Sequence, residues 1–160
     1  MSLREMTIVT LRKGKALPLI ALVFLGGCGS EPAPLKGLLD SGRLSVSPGP
    51  KYDFGSVPIG QYRDATFTAE NIGGVEVTQM AGSFLLSLNW AFAGGEFPGE
   101  GGTCSESLAP GKNCQVVVRF SPQYGGIIEG TLRISYFNGI KADLSDQPLL
   151  RGNGLGEVTP

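Results

Sequence analysis

Cys114-Gln115-Val116-Val117-Val118-Arg119-Phe120-Ser121-Pro122 is the stretch that decides the fold. Cys114, Val116, Val118 and Phe120 recur at every second position against Gln115 and Arg119, so an extended chain carries the apolar set on one face. Ser121-Pro122 then closes the run. The same period appears on both sides of it. Leu132, Ile134 and Tyr136 alternate with Thr131, Arg133 and Ser135, and Ala65, Phe67 and Ala69 alternate with Thr66, Thr68 and Glu70. Asn71-Ile72-Gly73-Gly74 supplies turn chemistry, after which Val75 and Val77, set against Glu76 and Thr78, open another strand. Phe84, Leu86, Leu88, Trp90 and Phe92, with Ser87 and Asn89 between, predict one long strand with its apolar residues on one side. A short final strand is expected around Leu149 to Gly152.

No 3.6-residue pattern follows Cys28, and the runs are short and separated by Gly- and Pro-bearing turns. The expected class is all-β: about seven strands in about 110 residues, folded as one immunoglobulin-like antiparallel β-sandwich. Phe67, Trp90, Phe120 and Tyr136 are its expected large core residues.

Upstream the chain changes character. Arg12, Lys13 and Lys15 precede an uncharged, apolar stretch from Ala16 to Gly27, and Cys28 follows at once. A helix of that length rises about 18 Å against a bilayer core of about 30 Å, so it is read as a cleaved export signal. Leu25-Gly26-Gly27-Cys28 resembles the lipobox of bacterial lipoproteins. The resemblance implies that Cys28 becomes the first residue and carries a thioether-linked diacylglycerol with palmitate-type acyl chains. A plain secretory signal with an incidental cysteine is the alternative. Either Met1 or Met6 can be the start. Gly29 after the cysteine, by resemblance to sorting rules in diderm bacteria, favours the outer membrane. The expected organisation is a leader over 1–27, a lipidated cysteine and tether over 28–43, a sandwich over 44–156 and a tail over 157–160. Glu31-Pro32-Ala33-Pro34 disfavours regular structure in the tether, which reaches roughly 45 Å if extended.

Composition narrows the chemistry. The 160 residues contain no histidine, which excludes an imidazole-based triad, a His-bearing zinc site and a His pH switch. With 13 basic and 14 acidic residues there is no electrostatic case for nucleic acid. Removing Arg4, Arg12, Lys13 and Lys15 with the leader leaves a mildly acidic chain, so anchoring falls to the acyl groups. No serine sits in a G-x-S-x-G elbow, and Gly111-Lys112 lacks the rest of a phosphate loop. Glu96, Glu100 and Glu106 lack the alternating spacing of a calcium loop. They read as solvated acids, as do Asp143 and Asp146. No metal or cofactor is expected.

Once Cys28 is lipidated, Cys104 and Cys114 remain as an even pair in a chain bound for an oxidising compartment. A disulfide is expected; two free thiols or a redox pair are the alternatives, and neither has C-x-x-C spacing. The bridge would tie the Gly-rich segment Gly94 to Gly102 to the strand that starts near Cys114.

Longer stretches carry a family resemblance. Leu44-Ser45-Val46-Ser47-Pro48, Tyr52-Asp53-Phe54-Gly55-Ser56-Val57-Pro58-Ile59-Gly60 and Ala65 to Gly73 resemble the opening strands of the abnormal-spindle and hydin (ASH) type of immunoglobulin-like domain. Leu108-Ala109-Pro110-Gly111 leading into the Cys114 run is similar to a later strand, and Gly130 to Tyr136 and Leu150 to Gly154 to the final ones. The resemblance implies a seven-stranded sandwich related to major sperm protein and pilus-chaperone (PapD) domains. It also implies a non-enzymatic binding or spacer module. A single copy departs from the repeated stalks in which such domains often occur.

The expected function is a lipid-anchored cell-envelope protein that presents its sandwich to another envelope or surface protein. A periplasmic chaperone is the runner-up, and a small envelope hydrolase the third reading. The candidate contact loop is the stapled segment Gly94 to Gly111, with Gly94, Gly95, Glu96, Phe97 and Glu100 at its tip.

Overall fold

The computed structural model describes residues 41–156. The leader, Leu25, Gly26, Gly27, Cys28, the tether up to Asp40 and the tail over 157–160 lie outside the described residues. Alternating burial produces nine strands: β1 (Leu44–Ser47), β2 (Lys51–Pro58), β3 (Arg63–Asn71), β4 (Thr78–Leu85), β5 (Trp90–Phe92), β6 (Asn113–Phe120), β7 (Gly126–Phe137), β8 (Ala142–Leu144) and β9 (Leu149–Leu155). They form two sheets, ordered β1-β3-β6-β5 and β2-β9-β7-β4, with β8 also paired to β7. The fold is an immunoglobulin-like sandwich.

Nine strands replace the expected seven for local reasons. Pro48 and Pro50 interrupt the first extended run, so β1 pairs with β3 while β2 pairs with β9 in the opposite sheet. The β2–β9 pairing is parallel, a departure from a purely antiparallel sandwich. The last strand reaches Leu155 rather than Gly152, and β8 adds a three-residue fragment. Val77 forms an isolated bridge to Leu108, and β4 begins one residue later.

The stretch Phe84 to Phe92 is not one strand. β4 leaves its sheet at Leu85, Leu86 adopts φ of 64°, a 3-10 turn spans Ser87–Asn89, and β5 joins the other sheet. Trp90 and Phe92 are buried as expected, but Leu86 and Leu88 are 72% and 75% exposed. Alternation records which residues share a face only while the strand continues. Crossing between sheets resets it.

The core is aromatic in its centre. The Trp90 ring stacks on Phe120 with centroids 4.6 Å apart, and Phe54 meets Trp90 edge-on at 5.1 Å. Phe67 and Tyr136 join this core. Gly130 and Gly152 are glycine because a Cβ there would run into the Trp90 indole and the Phe120 ring.

The register defines two ends. At one end lie Leu44, Asn71, Thr78 and Phe137; at the other lie Pro58, Arg63, Phe120, Gly126 and Leu155. The described chain starts at the first end, where the Gly42 amide donates to Asn138 O at 2.8 Å and the Gly74 amide donates to Ser41 O at 3.1 Å. Residues 41–43, counted with the tether in the sequence, are therefore already tied to the folded body.

Candidate functional site

The segment after β5 follows the edge of β6 instead of projecting from the molecule. The Ala93 amide donates to Val117 O at 3.0 Å, and the Val117 amide donates to Pro98 O at 2.8 Å. The Thr103 and Cys104 amides both donate to Gln115 O, and the Gln115 amide donates to Thr103 Oγ1 at 2.9 Å. Five short bonds thus cover a strand edge that would otherwise be open. This packing also buries Val117, which alternation alone places on the outer face.

Glycine is required at the closest approach. Gly99 is buried with φ of 93°, and a Cβ there would strike Val117 O. Phe97 is half-buried, its ring edge-on to Phe92 at 5.5 Å. Cys104 and Cys114 are bonded, both buried, with Cα atoms 4.8 Å apart, so the segment is stapled to the start of β6. Gly94, Gly95, Glu96 and Glu100 remain exposed. The expected contact tip is thus a small acidic surface on a rigid frame, with Phe97 turned toward the core. No three-residue cluster of metal-ligating side chains occurs among the described residues.

The outer face of the same sheet holds one well-defined ion pair. Arg119 meets the Asp64 carboxylate through two bonds of 2.7 Å and lies 3.7 Å over the Tyr62 ring. The bond to Asp64 raises the Arg119 pKa further.

A groove of about 490 Å³ runs beside β1, lined by Ser45, Val46, Gly49, Asp146 and Pro148 among others. Ser45 Oγ donates to Asp146 there at 2.9 Å. Next to it the buried Tyr136 hydroxyl accepts the Leu44 amide. Asp143 bonds Asn138 and its own neighbour's amide, so neither aspartate stands unpaired in the turn.

Sequence reasoning missed the apolar character of the end opposite Ser41. Seven of the eleven large apolar side chains that stay exposed among the described residues lie there: Ile59, Tyr62, Leu86, Leu88, Tyr124, Ile127 and Leu155. A cleft of about 500 Å³ between Ile59, Gly125 and Leu155 opens on the same end. The available signal was Tyr124-Gly125-Gly126-Ile127-Ile128, whose large side chains flank glycines after a turn. Leu86 and Leu88 gave none, because they fit the alternation of a core strand.

No family model matches this chain, and no curated protein matches it. Solved structures do. The ASH/PapD-like domain 7 of human CEP192 superposes with a TM-score of 0.52 at 14% identity, covering 95% of this chain and 98% of that one. The VesB protease of Vibrio cholerae gives 0.54 at 16% identity, over 69% of this chain but 32% of the other, so the present chain spans about a third of that protein. Matched along nearly its whole length, the chain has the fold of the ASH/PapD-like immunoglobulin-like domains.

Proposed function

We propose that this protein is a lipid-anchored, non-enzymatic binding module of the cell envelope, moored through Cys28 in the outer membrane and presenting its sandwich to another envelope protein. The observation that carries this reading is the polarity of the folded body. The described residues begin at the Leu44–Asn138 end, and seven of their eleven exposed large apolar side chains lie at the other. A tether running back from Ser41 to a lipidated Cys28 would hold the anchored end toward the bilayer and leave the apolar end to meet a partner. The lipobox-like Leu25-Gly26-Gly27-Cys28 supports the anchor. Glu96 and Glu100 on the stapled segment supply a second, polar surface.

The anchor is tested by Cys28→Ala, which should move the protein from the membrane fraction into the soluble one; a variant that still sediments with membranes removes the proposal. Contact through the stapled segment is tested in intact cells by crosslinking and mass spectrometry on Glu96→Lys and Glu100→Lys. Both residues are exposed, so the variants keep the fold while reversing the local charge. Lost crosslinks support the contact, and an unchanged crosslink pattern refutes it.

A further inference from the structure

Between the end of β4 and the start of β7 the second sheet carries a notch. The Leu132 amide donates to Pro148 O at 3.2 Å, the Ser145 amide donates to Ile134 O at 2.9 Å, and the Asn138 amide donates to Lys141 O at 2.9 Å. Even-numbered residues of β7 therefore direct their backbone groups toward β8 and β9. Odd-numbered residues direct theirs toward β4. β4 stops where Leu85 faces Thr131. Beyond that point the N–H and C=O groups of Ile127 and Glu129 face outward, with no strand opposite them among the described residues. Leu86, Leu88, Tyr124 and Ile127 rim the notch, each about half exposed or more. Asn89 ties the two sides together, its Oδ1 accepting the Gln123 amide at 2.9 Å and its O the Ser121 amide at 3.0 Å.

From this edge we infer that a second copy of this chain docks here, the two β7 strands pairing antiparallel about Ile128. That register places Ile127 opposite Glu129 of the second copy, and the reverse. Each such pair exchanges two backbone hydrogen bonds, so every outward group in the notch is satisfied. It also keeps Glu129 from facing Glu129 of the second copy, which pairing centred on residue 129 would force. The gap is five residues long, Gly126 to Gly130, and the same five residues of the second copy fill it.

The area is in range for a weak dimer. Four rim side chains exposing on the order of 100 Å² each, with the strand backbone, bury about 1,000 Å² across two copies, near the lower bound for a specific interface. Ser41 lies at the far end of each sandwich, away from the notch.

Sedimentation equilibrium of the full chain in density-matched detergent, over a concentration series into the millimolar range, reads the association. A reversible dimer is expected. Ile127→Glu sets like charges opposite one another twice and should weaken it at least about tenfold, whereas Ile127→Lys sets a cation opposite each Glu129 and should leave it unchanged or tighter. Glu129→Pro removes an outward N–H without touching the β9 ladder and loses only an exposed 3.9 Å ion pair with Lys51, so it should abolish the dimer while the urea midpoint changes little. A chain that is monomeric throughout the series overturns the inference. So does a dimer that Ile127→Glu and Ile127→Lys weaken alike, or one that survives Glu129→Pro.

Discussion

Asn71 is fully buried at the end of β3, yet all its polar atoms are in use. Its amide donates to Val75 O and Leu108 O at 2.9 Å each, and its Oδ1 accepts from Gly73 at 3.0 Å and Arg43 at 3.3 Å. One side chain thus ties the segment leading into β1, the turn after β3 and the segment before β6. Asn71→Ala strands the Arg43 and Gly73 amides and Val75 O, while Leu108 O keeps the Val77 amide, and should lower unfolding free energy by about 3 kcal/mol in urea titration. Phe120→Ala empties the stack against Trp90 and should cost roughly 3 to 5 kcal/mol by the same measurement. Tyr136 gives a pH dependence. Burial raises its pKa above the ordinary 10.0, Asp143 and Asp146 push the same way, and the Leu44 amide and Arg43 push against. The unfolded chain then loses this proton first, so the contribution is intact below about pH 10 and declines as pH rises toward the folded value. Urea midpoints measured on both sides of pH 10 should fall less steeply in Tyr136→Phe than in the parent.

Among the elements, β6 is the most legible and β5 the least. β6 runs through the middle of its sheet between β3 and β5, so Cys114, Val116, Val118 and Phe120 meet the core as their spacing predicts. β5 is three residues long, and the remaining β6 edge is covered by irregular chain that has no period to read. The disulfide holds that cover in place. In the chain-entropy model its short loop contributes about 3 kcal/mol. Reduction should therefore lower stability by about that amount and speed amide exchange at Gln115 and Val117 ahead of Val116. Equal acceleration at all three amides would mean that the cover does not depend on the bridge.

For the whole molecule, the two ends differ. The end where Ser41 lies is tied by the Asn71 and Asn138 networks and exposes Ile72 and Ile140, while the opposite end carries most of the exposed large apolar side chains and the notch in β7. Ile127→Lys combined with Leu88→Lys should leave the unfolding midpoint nearly unchanged, because both side chains are already in water, and should reduce binding of a hydrophobic dye. A fall in midpoint comparable to a core substitution would show that these residues stabilise the fold.

The amino-acid order alone determined the all-β class, the buried face of each continuous strand and the aromatic centre, because period-two alternation and turn residues act over a few positions; it made a Cys104–Cys114 bridge the expectation, and the structure forms it. It could not determine where the chain changes sheet, since Leu86 and Leu88 alternate as well as any core residue until the crossover at Leu85 turns them outward. The covering of β6 by residues 93–104, the four-bond role of Asn71 and the open edge at Ile127 and Glu129 were decided by tertiary structure. Each depends on which distant backbone groups arrive opposite one another.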